Sequence, residues 1–323
     1  MRVVFVRGEE LDLNRTCTFV RESLKTRKRM IDRESVCRVI RELTGTGLVK
    51  AAAYHGKDLV GVVLLSTGES TWKINPDVLG GHPFIAPGMD RDPISECLLR
   101  EIIEYANGQH AGSLELIAIR RPEECGDLAN HDCYVRHGFE HELSYVEMVY
   151  PVESNVPEPL EFPQGYERRP INAMTAEELY PVYHEAFERG EARFFFLQGE
   201  EERRDYYETL GWDEARTLDA SHMICQGDEP VAFSLVLPFS LRSYHISCMC
   251  VHPEHQRIRL GEAMLVHILR KAVDEGIPLI SLGTEPEMRA CQLYKKYGFE
   301  IRGGSSHYRL TFPLSNTDGE TSI

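Results

Sequence analysis

The chain repeats itself, and that limits its possible folds more than any single residue does. IAPGMDRDPISECLL (85–99) aligns without a gap on VHPEHQRIRLGEAML (251–265), matching Ile85 to Val251, Pro87 to Pro253 and Leu99 to Leu265. Upstream, AAAYHGKDLVGVVLL and HMICQGDEPVAFSLVL each set two apolar runs around a glycine, Gly56 or Gly227, which is the pattern of a β-hairpin. Downstream, CYVRHGFE pairs with LYKKYGFE, Tyr134 with Tyr294 and Gly138-Phe139 with Gly298-Phe299. Three anchors in the same order imply tandem copies of one plan.

Between the copies, PVESNVPEPLEFPQG (151–165) carries Pro151, Pro157, Pro159 and Pro163, which neither a helix interior nor a central strand accepts. We therefore expect an N-terminal copy over 1–152, a Pro-rich linker over 153–165 and a C-terminal copy over 166–323. Within the second, Leu265, Ile268, Leu269 and Ala272 form a helical stripe stopped at Gly276. Ile94, Leu98, Leu99, Ile102, Ile103 and Ala106 form its counterpart before Asn107-Gly108. Strands that alternate with such helices predict a mixed α/β sheet in each copy.

Composition narrows the function. A length of 323 residues with 42% hydrophobic content supplies cores for two domains. The net charge of −15 argues against a general nucleic-acid binder, because phosphate neutralisation needs clustered Lys and Arg. No apolar run approaches the roughly 20 residues of a membrane helix, and MRVVFVRGEELDL turns acidic too soon for a secretory signal. Nine cysteines without paired spacing suit reduced thiols, so a cytoplasmic location is expected.

A strand that enters a helix through a short loop, as at 251–265, offers unpaired backbone N–H groups to an anion. The nucleotide-binding patterns GxxxxGK[ST] and GxGxxG are both absent. What is present, V-x-P-x-x-Q-x-x-R-x-G-x-A-x-L followed by Ala290 and LYKKYGFE, resembles the GNAT superfamily of acyl-CoA-dependent N-acyltransferases over most of 166–312. That family's pyrophosphate loop reads Q/R-x-x-G-x-G/A, and Gln256 and Gly261 hold its first and last positions.

The resemblance implies two tandem GNAT acyltransferase folds, a layout similar to that of mycothiol synthase. It further implies acetyl-CoA as cosubstrate, held along Met249, Cys250 and Val251 and by the loop Gln256, Arg257, Ile258, Arg259, Leu260, Gly261 and Glu262. Two residues depart from the family pattern. Arg259 replaces a glycine, so it either occupies a conformation that glycine tolerates better or adds charge to the pyrophosphate site. Glu287 replaces a usual asparagine. In the N-terminal copy Asp90, Pro93 and Ser95 replace Gln, Gly and Gly; a carboxylate and a missing N–H mark that loop as degenerate.

Attack of an amine on a thioester requires a free lone pair, yet an alkylammonium of pKa about 10 is protonated at neutral pH. Period-two alternation in SYHISCMCV predicts His245, Ser247 and Met249 on one face and Tyr244, Ile246, Cys248 and Cys250 on the other. By the resemblance, His245 stands where histone-acetylating members carry a base glutamate; equally, it reads as a strand histidine bonded near the core. Glu285, at the end of the strand-like PLISLGTE, is a second candidate base and otherwise reads as a solvated loop residue. Tyr294 stands where many members place the acid that meets the departing thiolate, and backbone N–H groups near Met249 to Val251 would meet the oxyanion.

Cys248, Cys250, His252 and His255 follow no zinc spacing, so no metal is expected. The resemblance implies that residues 187–215 form much of the acceptor wall; read by themselves they are a Phe194-Phe195-Phe196 core beside a solvated charged face. The expected activity is transfer of an acetyl group to a primary amine of a small molecule within a ternary complex. Partners in nucleic acid or membrane are not expected, and the protein is a monomer or homodimer on this reading. The alternatives are a non-catalytic acyl-CoA-binding module and a protein lysine or N-terminal acetyltransferase.

Overall fold

A computed structural model describes the chain except residues 27–35, 39, 42–46, 75–82, 121–126, 153–155, 241 and 314–323. The first residues of the expected linker, 153–155, therefore lie outside the described residues. In chain order the elements are β1 (Arg2–Arg7), α1 (Leu13–Thr26), β2 (Leu48–His55), β3 (Asp58–Thr67), β4 (Thr71–Ile74), β5 (Phe84–Ile85), α2 (Arg91–Gly108), β6 (Ser113–Arg120), α3 (Asp127–Arg136) and β7 (Glu140–Pro151). There follow β8 (Tyr166–Pro170), α4 (Ala176–Glu188), α5 (Arg193–Phe196), α6 (Glu200–Glu208), α7 (Trp212–Ala215), β9 (His222–Gln226), β10 (Glu229–Ser240) and β11 (Ser243–Val251). The chain ends with α8 (Leu260–Asp274), β12 (Leu279–Thr284), α9 (Arg289–Lys296) and β13 (Glu300–Thr311).

Contacts divide the chain into two compact units, one of Met1–Leu143 with Ser305–Ile323 and one of Ser144–Gly304. Both divisions fall outside the Pro-rich segment, because each unit takes its last strand from the other copy.

In the first unit, β2 and β3 form the expected antiparallel hairpin around Gly56, whose φ is 63°. β4 and β6 run parallel, joined through α2. The α2 stripe of Ile94, Leu98, Leu99, Ile102 and Ala106 is buried against Val63, Leu65 and Leu114. The helix runs on through Gly108, and the left-handed residue beyond it is His110, not Gly108. Tyr308 and Phe312, from the far end of the chain, complete this core beside Tyr134 and Phe139. Arg309 adds ion pairs to Glu115 and Glu142.

In the second unit, β8, β9, β10 and β11 are successively antiparallel, β11 and β12 are parallel, and β12 pairs antiparallel with β7 from Thr284↔Val146 to Leu279↔Pro151. The hairpin around Gly227 is present, with φ 61° at that glycine. One sheet face packs Leu179, Val182, Tyr183, Phe195, Tyr207 and Trp212 of α4 to α7 onto Phe233, Leu235, Cys248 and Cys250. The other face packs Leu265, Ile268, Leu269 and Ala272 of α8, with Cys291 and Tyr294 of α9, onto Tyr244, Ile246, Ile280 and Leu282.

The predicted alternation along β11 fails at its middle. Tyr244 and Ile246 face α8, whereas Cys248 and Cys250 face α4, and Met249 joins the α8 side. The cause is a β-bulge: β10 residues Leu235 and Val236 pair with Cys248 and Ile246, leaving Ser247 as an extra residue that reverses every later side chain.

Candidate active site

The parallel pairing of β11 with β12 is short. It runs from Ser243↔Leu279 to Ile246↔Leu282 and stops where the bulge begins. Beyond that point the two strands no longer pair, so the β11 backbone from Ser247 onward has no β12 partner. The opening leads to a cavity of about 90 Å³ lined on the strands by Ile246, Ser247, Cys248, Met249, Gly283, Thr284 and Glu285. Aromatic rings supply much of the rest: Tyr145, Tyr183, Phe187, Phe194, Tyr206 and Tyr294.

Of the sequence candidates, Tyr294, Glu285 and Met249 lie on this cavity. Tyr294 is 5% exposed and donates no hydrogen bond to a described residue; burial pushes its phenol above the ordinary value, so it keeps its proton. Glu285 follows β12 directly and is 2% exposed. Its oxygens accept backbone N–H bonds from Phe194 (2.9 Å) and Arg193 (3.0 Å), which ties β12 to the start of α5. His245 is not among the lining residues. Its Nδ1 lies 3.0 Å from Ser281 Oγ, and burial lowers its pKa.

The cavity also holds residues that sequence reading did not single out. Tyr183 belongs to the α4 stripe and reads as core, yet its buried hydroxyl has no hydrogen-bond partner among the described residues. Tyr145 comes from β7, the last strand of the other copy, and no local pattern places it here. The three phenylalanines divide: Phe194 lines the cavity, Phe195 is fully buried and Phe196 is 55% exposed. The charged run of α6 is a largely solvated face, as one of the two readings had it.

At the end of β11, His252 to Arg259 lead into α8. The first backbone bond of the helix runs from Ala263 N–H to Arg259 O (2.9 Å), and no side chain caps the helix. The amides of Leu260, Gly261 and Glu262 are therefore free of intrahelical partners. A Cβ on Gly261 would come no nearer than 3.7 Å to Val251, so the glycine leaves that approach open. Arg257 and Arg259 both adopt left-handed backbones, with φ of 64° and 68°. Arg259 thus holds the conformation that glycine tolerates better.

The loop from Gln256 to Arg259 is exposed, and two of its side chains are tied back to the fold. Gln256 Nε2 donates to Val251 O (3.0 Å), tying the loop to its strand. Arg259 Nε donates to Glu262 Oε2 (2.7 Å), and the same buried carboxylate accepts from Lys296 and from Tyr297 Oη (2.6 Å). The Arg259 hydrogen bond, followed by those of Lys296 and Tyr297, holds the Glu262 carboxyl down to about 2.

Cys248 and Cys250 are buried, and burial pushes the Cys250 thiol up, which removes the thiolate an acyl relay would need. His252 Nδ1 accepts from Glu254 N–H and His255 Nδ1 meets Tyr166 Oη at 2.9 Å, so among the described residues these four do not gather around one point. In the first unit Glu96, Cys133 and His137 do gather, but Glu96 is already engaged by Arg136 and His137. In the corresponding loop of that unit Asp90 Oδ1 accepts from Asp92 N–H (3.4 Å) at the start of α2.

The uncapped helix start is the anion site that the loop sequence predicts, and residues 177–299 match the model described as the Acetyltransferase (GNAT) family. Residues 177–299 thus carry a GNAT acetyltransferase domain. No curated protein matches the sequence.

Among solved structures, the GNAT fold is shared with a GCN5-related N-acetyltransferase from Sphaerobacter thermophilus at 14% identity and TM-score 0.61, over 95% of each chain. A tandem GNAT protein from the clavulanic acid biosynthesis pathway aligns at 14% identity and TM-score 0.57, over 97% of this chain and 100% of that one. A GCN5-related glucosamine N-acetyltransferase region of a fungal multi-domain GH3 beta-N-acetylglucosaminidase aligns at 11% identity and TM-score 0.59, over 96% of this chain and 38% of that one. At such identities the likeness is one of fold, two GNAT folds in tandem, and it carries no acceptor with it. No helix among the described residues is long and apolar enough to cross a membrane.

Proposed function

We propose that the GNAT domain transfers an acetyl group from acetyl-CoA to a primary amine of a small molecule, by direct attack in a ternary complex. The observation that carries this reading is the parting of β11 from β12 at Ser247, beside an uncapped helix and an aromatic cavity that holds Tyr294 and Glu285. The residues present fit acetyl-CoA: free amides at Leu260, Gly261 and Glu262 suit a pyrophosphate, and the unpaired edge from Met249 to Val251 suits a thioester arm.

When bound, acetyl-CoA supplies the activated acetyl group. The chain supplies the rest. Backbone N–H groups along Met249 to Val251 stabilise negative charge on the thioester oxygen. The aromatic walls receive the body of the amine, and Glu285 attracts its ammonium and takes up its proton, directly or through water. Tyr294 keeps its proton and so acts as a hydrogen-bond donor to the departing thiolate. His245, outside the cavity lining, positions β11 through Ser281. A small acceptor fits a cavity of about 90 Å³ better than a lysine presented on a protein surface does.

The test is thiol release from acetyl-CoA by the full chain across a panel of primary amines, with Tyr294→Phe alongside. Amine-dependent release is expected, and Tyr294→Phe is expected to lower kcat about tenfold to hundredfold while the acetyl-CoA Kd stays within about twofold. Binding of acetyl-CoA without release on any amine would replace this reading with that of a non-catalytic acyl-CoA-binding module.

A further inference from the structure

The second unit contains another cavity, of about 270 Å³, that shares no lining residue with the one at the strand opening. β8, the segment from Arg216 to His222 and the middle of α8 enclose it. In a chain of net charge −15 its lining is cationic: Arg168, Arg169, Arg216 and Lys271 face a single carboxylate, Asp219. Arg169 is taken up by Glu167 and Asp228, and Lys271 Nζ lies 3.2 Å from Asp219 Oδ2. Arg168 and Arg216 have no carboxylate partner among the described residues.

Two lining side chains bury polar atoms that have no hydrogen-bond partner among the described residues, Nε of Arg216 and Nε2 of His222. Such atoms are rare in native folds and call for an explanation. His222 is 2% exposed. Its Nδ1 lies 3.0 Å from the Ala220 carbonyl, an acceptor only, so the ring proton sits on Nδ1 and Nε2 carries a lone pair. His267 is oriented similarly: Nε2 donates to the Asp219 carbonyl (3.1 Å), leaving Nδ1 to accept from Arg168 and hold that guanidinium at the cavity. Burial, reinforced by the neighbouring His267 and Arg168, pushes the His222 pKa down to about 3, so the ring is a neutral acceptor at pH 7.

We propose that this cavity binds inorganic phosphate. Guanidinium and ammonium groups from β8, the 216–222 segment and α8 meet its charged oxygens from separate directions. The lone pair of His222 Nε2 then needs a donor, and inorganic phosphate retains an O–H in both of its forms near neutral pH. Sulfate and carboxylates have none. The site differs in kind from the CoA loop, which offers backbone amides at the start of α8, whereas this one offers side chains two to three turns along the same helix.

Inorganic phosphate is titrated into the full chain at constant ionic strength and pH 7.5, followed by calorimetry and by the melting temperature, with and without saturating CoA. A saturable response is expected to persist under CoA, to be at least tenfold weaker with sulfate, and to weaken at least tenfold in Arg168→Gln/Lys271→Gln. Should that double variant melt early in phosphate-free buffer, Lys271→Gln alone is compared, with an expected loss of at least threefold. A phosphomonoester, which at pH 7.5 is mostly a dianion without a P–O–H, is run in parallel and is expected to bind more weakly than phosphate; binding as tight or tighter would overturn the role given to His222 Nε2. The proposal is overturned by a response that sulfate reproduces, that the variants retain in full, or that CoA abolishes, the last placing the phosphate in the acyl-CoA loop.

Discussion

Arg259 carries a left-handed backbone that costs an L-residue roughly 1–2 kcal/mol more than it costs glycine. Its pairing with Glu262 offsets part of that. The two contributions separate by mutation, because Arg259→Ala keeps the strained angle and loses the pair, while Arg259→Gly loses both. In urea unfolding, Arg259→Ala should lower the midpoint and Arg259→Gly should lower it less, because only the glycine relieves the angle. Equal losses would mean that the angle stores no strain. At this scale the sequence was legible where spacing carries the information: Tyr294 and Glu285 reach the cavity from positions counted along a motif and a strand end. It was silent on Tyr183, which follows the same helical stripe as core residues, and on Ser247, since an inserted residue leaves no mark in an alternating pattern.

Elements meet through Glu262, which belongs to the first turn of α8 and is bonded by Lys296 and Tyr297 at the end of α9. The fold holds its carboxyl at about 2 against an ordinary 4.5, so the ionised form is the one the native state favours. The stability this contributes is complete above about pH 4.5 and is lost as pH falls towards 2. Wild type should therefore exceed Glu262→Gln in guanidinium midpoint at pH 7, and the gap between them should close between pH 4.5 and 2. A constant gap would show that hydrogen bonding to a neutral acceptor suffices. Helices and hairpins were well marked by apolar stripes and turn glycines. The failed alternation in β11 was not, although it is the bulge that ends the pairing with β12 and opens the site.

For the whole molecule, the repeat revealed two copies, but the prolines that mark where the chain changes copy do not mark where contacts change. β12 pairs with Val146–Pro151, which precede the Pro-rich segment. A chain begun near residue 160 would expose that edge and lose Tyr145 from the cavity. It should aggregate on size-exclusion chromatography and fail to bind acetyl-CoA under conditions where the full chain binds. A monomeric, binding-competent fragment would show that β7 is dispensable.

The reciprocal loan has a consequence during synthesis. Tyr308 and Phe312 belong to the core of the unit built from the first 143 residues, Arg309 pairs with Glu115 of β6, and β6 waits for the strand that carries them. At roughly 5–20 residues per second, some 160 further residues keep that edge open for about 8 to 30 s after the rest of the unit has left the ribosome. The N-terminal unit is thus the first to be made and among the last parts to be closed, and a growing cell must shield its unfinished sheet until translation is all but complete.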